Sequence, residues 1–196
     1  MVTIAKKKKK SSGALVLIIF FVCLAGLITA IFMFTMRSPS PDEARAEHAS
    51  IDLDQLMDEV LSINLETDFP ETPDGVMRLY NDTFRLLYGW DRRDTYTLSR
   101  VLEIQRSLYS QALYELNPLP QQLSRLIFAR EEEARMGIEL VGIHQGAPTF
   151  HRFSQDRCAI YVIKFISNGQ SFHYNYHLFL HPETERWEIG MWDEIT

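Results

Sequence analysis

The sequence predicts an α+β protein: an N-terminal transmembrane helix, then about four helices packed on a curved antiparallel sheet of about four strands. Three observations carry that prediction. Residues 14–36 form an apolar run with no ionisable side chain except Cys23. Between Leu53 and Ile127 the apolar residues recur at helical spacing, and after Gly137 the period falls to two. Asn168-Gly169 lies between two alternating apolar segments, which is the signal of a two-residue hairpin turn.

The apolar run is long enough to cross a bilayer, which takes roughly 20 residues of helix. No proline interrupts Ala14 to Met36. A secretory signal has an apolar region of only about 7–15 residues and a small-residue cleavage site. Here Phe32-Met33-Phe34 stand where that site would fall, and Phe20, Phe21 and Val22 before Cys23 do not fit a lipoprotein signal. Lys6 to Lys10 all precede the run, and positive charge at a helix end stays in the cytoplasm. The expected organisation is therefore a basic cytoplasmic tail (1–13), a transmembrane helix (14–36), a linker (37–49) and an extracytoplasmic α+β domain (50–196). The linker is read from Ser38-Pro39-Ser40-Pro41 and the acidic stretch behind it.

Charge divides along the same line. The chain carries 20 cations and 26 acids, a net −6. Lys6–Lys10 and Arg37 take six of the cations and no acid precedes Asp42, so the rest holds 14 against 26, a net −12. A domain of that sign repels nucleic acid. Cys158 is the one cysteine after the apolar run, so no disulfide forms within the domain. Its thiol is either buried in the core or pairs with another chain.

Four helical segments follow. Ser50 caps a stripe of Leu53, Leu56, Met57, Val60 and Leu61. Thr72-Pro73 opens the second, with Val76, Met77, Tyr80, Phe84, Leu87 and Tyr88 on one face and Gly89 as its stop. The third begins near Thr97 and carries Leu98, Val101, Leu102 and Gln105, with 111–116 as a separate short turn. The fourth runs from Asn117-Pro118 to Gly137. Strands are expected at 138–143, resuming at 149–153 after Gly146-Ala147-Pro148, and at 158–166, 171–180 and 187–192. With Asn168-Gly169 as the turn, Ser167 opposes Gln170. Tyr161, Ile163 and Phe165 then share a face with Phe172, Tyr174 and Tyr176. Lys164, Val162 and Ile160 fall on the other face with His173, Asn175 and His177. Helices before a one-sided sheet resemble the cone-shaped nuclear-transport-factor-2-like and cystatin-like folds.

Few residues fit a catalytic pattern. His173 and His177 share a strand face but lie about 14 Å apart, too far to share one metal ion. There is no Gly-x-Ser-x-Gly elbow, no glycine-rich phosphate loop, and Cys158 begins a strand instead of capping a helix. Glu131, Glu132 and Glu133 are consecutive on a helix and point apart. No cofactor, metal or catalytic residue is expected. Two candidate sites remain. Tyr80, Tyr161, Tyr174, Tyr176, Trp187 and Trp192 either line a pocket between helices and sheet or fill the core. His173, Asn175 and His177 are either a docking surface or a half-covered sheet face.

The segment Leu65-Glu66-Thr67-Asp68-Phe69-Pro70-Glu71-Thr72-Pro73, running into Leu79-Tyr80-Asn81, together with Leu116-Asn117-Pro118 and Trp187 to Trp192, resembles a domain-of-unknown-function family of single-pass membrane-anchored proteins from clostridial Gram-positive bacteria. The family's last strand typically reads W-K-I-L-G-W. Here Glu188 replaces the lysine, and one residue separates Gly190 from Trp192. The resemblance implies the same topology and a Gram-positive envelope, and it carries over no catalytic residue. The sequence thus favours a non-enzymatic binding or interaction module held at the membrane. The alternative is a small pocket-bearing enzyme or ligand carrier. The expected partners are the lipid bilayer, through residues 14–36, and another envelope or membrane protein.

Overall fold

The computed structural model describes residues 40–89 and 94–195. The tail, the transmembrane segment and the first residues of the linker (1–39) lie outside the described residues. Among those described, no helix is long and apolar enough to cross a membrane.

The first described element corrects the linker reading. Helix α1 spans Pro41–Ala49. Ser40 Oγ accepts from the Glu43 amide at 3.2 Å, and Glu43 Oε2 accepts from the Ser40 amide at 2.8 Å. Ser-Pro-x-Glu is thus a capping box with proline at the first helical position, where its fixed φ starts a helix instead of stopping one. So polar a helix docks through its one buried residue. Ala44 is buried against Gly142, and a Cβ on that glycine would lie 2.8 Å from the Ala44 backbone.

Helices α2 (Leu53–Ser62) and α3 (Pro73–Gly89) follow, with α4 (Thr95–Arg106), α5 (Gln111–Leu116) and α6 (Leu119–Met136) after them. Their caps are side chains: Asp52 for α2, Asp94 for α4 and Ser110 for α5. The cap expected at Ser50 falls instead at Asp52, and the helix expected to begin near Thr97 is capped by Asp94; a carboxylate is an equally good acceptor for the free amides. Thr72 Oγ1 takes the Gly75 amide at the start of α3. Gly137 closes α6 with φ 66°, a left-handed conformation that glycine adopts without cost.

The antiparallel sheet has the order β1 (Leu140–Gln145), β3 (Ser154–Ile166), β4 (Ser171–Leu180), β5 (Trp187–Glu194), with β2 (Thr149–His151) also paired to β3. The 13 residues of β3 are long enough to carry β1 beside one half and β2 beside the other. The break at Gly146-Ala147-Pro148 therefore interrupts one edge of the sheet.

The hairpin register differs from the expected one by a single residue. Ser171, Phe172, His173 and Tyr174 oppose Phe165, Lys164, Ile163 and Val162. The cause is the turn. Ile166 and Gln170 close a three-residue loop in which Gly169 alone takes positive φ, at 86°, while Asn168 does not. A two-residue type I′ turn needs positive φ at both centres, whereas a three-residue loop needs it only at its last residue. A one-residue slip turns a whole strand over. Cys158, Ile160, Val162 and Lys164 therefore face the helices with Phe172, Tyr174, Tyr176 and Leu178. Tyr161, Ile163 and Phe165 are on the outside, where Ala44 packs on Ile163 and Phe165.

The main core lies between helices α2–α6 and the inner face of the sheet. Cys158 is buried in it as a free thiol. A bulge in β5 completes this layer. His177 opposes Met191 but Leu178 opposes Ile189, leaving Gly190 as the extra residue. Strict alternation would put Trp187 and Trp192 on opposite faces. The bulge brings Trp187, Ile189 and Trp192 to the same one.

Candidate functional site

At one end of the inner layer helices and sheet do not close fully, and a cavity of about 490 Å³ remains. Helix α3 supplies one wall because Tyr80, Phe84, Leu87 and Tyr88 fall at helical spacing on one face. Phe84 and Tyr88 stack at 4.3 Å between ring centroids. Helices α4 and α6 close the far side with Leu102, Gln105, Gln122, Leu126 and Ala129. Arg125 and Glu133 stand on the same α6 wall, Arg125 exposed. The sheet contributes Lys164, Tyr174 and Tyr176, with Phe172 and Trp192 more than a third exposed.

Lys164 is the unusual member. Its side chain is 6% exposed, and it stands in the otherwise uncharged strand segment Cys158 to Ile166. Its Nζ donates to the Tyr176 hydroxyl at 3.0 Å, and that hydroxyl donates to Tyr80 at 3.4 Å. Aromatic rings surround the ammonium, with Phe84 at 3.5 Å and Tyr174 at 4.8 Å from the ring centroids. Among the described residues no carboxylate forms an ion pair with it. Burial without a counter-charge disfavours the charged amine and lowers its pKa from 10.5 to about 7. The same burial raises the phenols around it. Tyr88 is pushed up to about 12, and Tyr80 and Tyr176 are raised by burial as well, so all remain neutral phenols. A cation held by rings and phenols beside an open cavity can receive an anionic group or, as the free amine, act as a base.

The structure brings four of the six aromatic candidates together: Tyr80, Tyr174, Tyr176 and Trp192 line the cavity. Trp187 does not; it is core, edge-on to Phe150 at 5.9 Å. Tyr161 is on the outer face, its hydroxyl bonded to His173 Nδ1. The trio His173, Asn175 and His177 keeps a common outer face, as β4 alternation requires. His173 Nε2 is 2.9 Å from Ser171 Oγ, and His177 Nε2 is 2.8 Å from Asp193 Oδ2. Both histidines are thus engaged within the sheet. Among the described residues no group of three or more His, Cys, Asp or Glu is placed to hold a metal ion.

Sequence reasoning missed Lys164, Phe84, Tyr88 and the two glutamines as members of this site. For Lys164 there was a signal: it is the only lysine after residue 10, set among apolar strand residues. The mistaken register assigned it to the outer face.

Neither a curated protein nor a solved structure matches the chain. A family model does, across residues 5–192, a span that takes in the lysine run and the apolar stretch as well as the folded domain. The chain belongs to the family described as Domain of unknown function (DUF6715).

Proposed function

We propose that the protein is a membrane-anchored ligand-binding module, in which residues 14–36 cross the bilayer and a cone-shaped α+β domain outside the cell receives a small amphiphilic molecule. The observation that carries this reading is the cavity itself: about 490 Å³, walled by aromatic and aliphatic side chains, with a few polar groups converging on it. Its size and mixed lining are those of small-molecule sites. The outer-face histidines are tied to their own sheet, so the pocket is the stronger candidate for a binding site. The apolar run, the lysines before it and the family model spanning both support the anchor. The resemblance to clostridial membrane-anchored proteins supports a Gram-positive envelope.

Binding is tested by saturation-transfer NMR with a panel of small amphiphiles against the full chain and against Ala129→Trp, which fills the cavity from α6. Ligands that bind the first and not the second support the reading. A panel without a single binder, or binders indifferent to the tryptophan, overturns it. For the anchor, protease added to intact cells should digest the C-terminal domain and spare a tag at the N-terminus. Digestion of the tag instead would reverse the proposed orientation.

A further inference from the structure

We infer that the cavity selects a singly charged anionic amphiphile, whose acid group meets the Lys164 ammonium and whose apolar body lies along Phe84, Leu87 and Leu126. This rests on the pocket reading above and adds the ligand's chemical class. Charge compensation calls for an anion here. A buried ion needs a counter-charge or a full set of hydrogen bonds. An ammonium has three donors, and among the described residues Lys164 uses one of them on a protein atom, Tyr176. The rings of Phe84 and Tyr174 favour a cation but accept no strong hydrogen bond. A ligand carboxylate in the cavity supplies both the charge and the acceptors.

The lining fits a ligand of one negative charge. Among the described residues Lys164 is the only buried cation lining the cavity, and Glu133 shares the α6 wall with exposed Arg125. A dianion would leave one charge uncompensated in this setting, and the carboxylate of Glu133 would oppose it.

The test is isothermal titration of the full chain in phosphatidylcholine nanodiscs, with empty nanodiscs as the blank. Decanoate, decanol and decyltrimethylammonium share one chain and differ in charge. The expected result is decanoate binding at least about tenfold more tightly than decanol, the usual scale of a charge-assisted hydrogen bond, with the cation weakest. Lys164→Met brings decanoate to the affinity of decanol. Lys164→Gln, which keeps a donor without the charge, gives the same loss and guards against a folding defect in the first variant. Equal affinities for decanoate and decanol in the unaltered chain overturn the anionic class while leaving the pocket. A preference for decanoate that survives both substitutions overturns it too. Binding by none of the three overturns this inference and the pocket reading together.

Discussion

Replacing Lys164 by methionine should stabilise the domain. Moving a lysine from 10.5 to about 7 makes its charged form roughly 5 kcal/mol less favourable in the fold than in the unfolded chain, at about 1.4 kcal/mol per tenfold change in proton affinity. The rings around Nζ return about 0.5–2 kcal/mol. Removing the amine also leaves the Tyr176 hydroxyl without its donor, at about 1 kcal/mol. The net gain for Lys164→Met is then about 2–3.5 kcal/mol at neutral pH and below, within the range seen when apolar residues replace buried charge.

The pH dependence gives the sharper test. Below about pH 7 the amine is protonated in both folded and unfolded chains, so the full penalty is present. Between about 7 and 10.5 the unfolded chain holds a proton that the folded one has released, and wild-type stability rises with pH. The advantage of the methionine variant should therefore shrink across that window. Cys158 and the buried tyrosines, raised by burial, act oppositely at high pH. They are common to both proteins and cancel in the difference. Urea unfolding of the compact unit Pro39–Thr196, followed by tryptophan fluorescence at about pH 6 and about pH 10, measures it. A methionine variant less stable than wild type at the lower pH, or a difference that does not change with pH, refutes the reasoning.

Three further outcomes follow from the fold. Gly142→Ala should cost about 1–3 kcal/mol and expose α1 to protease, because the new Cβ meets the Ala44 backbone at 2.8 Å. Gly190→Ala, whose Cβ would meet the Phe179 ring, should cost less where the ring can turn aside. Parallel unfolding curves and limited proteolysis compare the two. Gly169→Ala should cost about 1 kcal/mol in backbone strain, since of the two only Gly169 has positive φ, while Asn168→Ala should lose only its exposed side-chain bonds to Gln170; a type I′ turn would add backbone strain at Asn168. His48 is held below its usual pKa by burial and then by Arg85. The unfolded chain therefore takes up a proton first as pH falls below 6.5, and stability is lost from there down to the folded value. The protection factors of the α1 amides, which allow for the slower intrinsic exchange at lower pH, should fall over that interval and recover on return to neutral pH.

Much of this fold was legible because its local signals agree. The stripe from Val76 to Tyr88 and the stop at Gly137 are each overdetermined by spacing and chemistry. Two readings failed for physical reasons. The stretch 41–49 has no apolar face, so only its capping box marked it as a helix, and its docking depends on a glycine about a hundred residues away. Asn168-Gly169 fits two turn types equally well as text, and the choice between them decides which face of β3 is buried. That choice moved Lys164 from the surface to the cavity and Tyr161 the other way. The pocket's aromatic character could be read in advance, because β4 alternates cleanly; its polar centre could not, because it depended on a register.

The fold itself shows what a structurally settled buried cation looks like. Arg85 sits at the junction of α3 and β1 with Asp82 at 2.8 Å and the Ile143 carbonyl at 3.3 Å. Arg106 donates to the carbonyls of Asn117 and Tyr114 and lies 4.0 Å from the Tyr114 ring centroid. An acid and a carbonyl meet Arg85, although its Nε finds no partner, and two carbonyls meet Arg106. Lys164 has neither; it has one phenol, a set of rings and an open cavity. Were its role structural, the neighbours that satisfy Arg85 and Arg106 set the standard it should meet, and an apolar residue would serve better. Lys164 stands at a cost in stability beside a cavity of ligand size, and on the proposed reading its missing counter-charge arrives with the ligand.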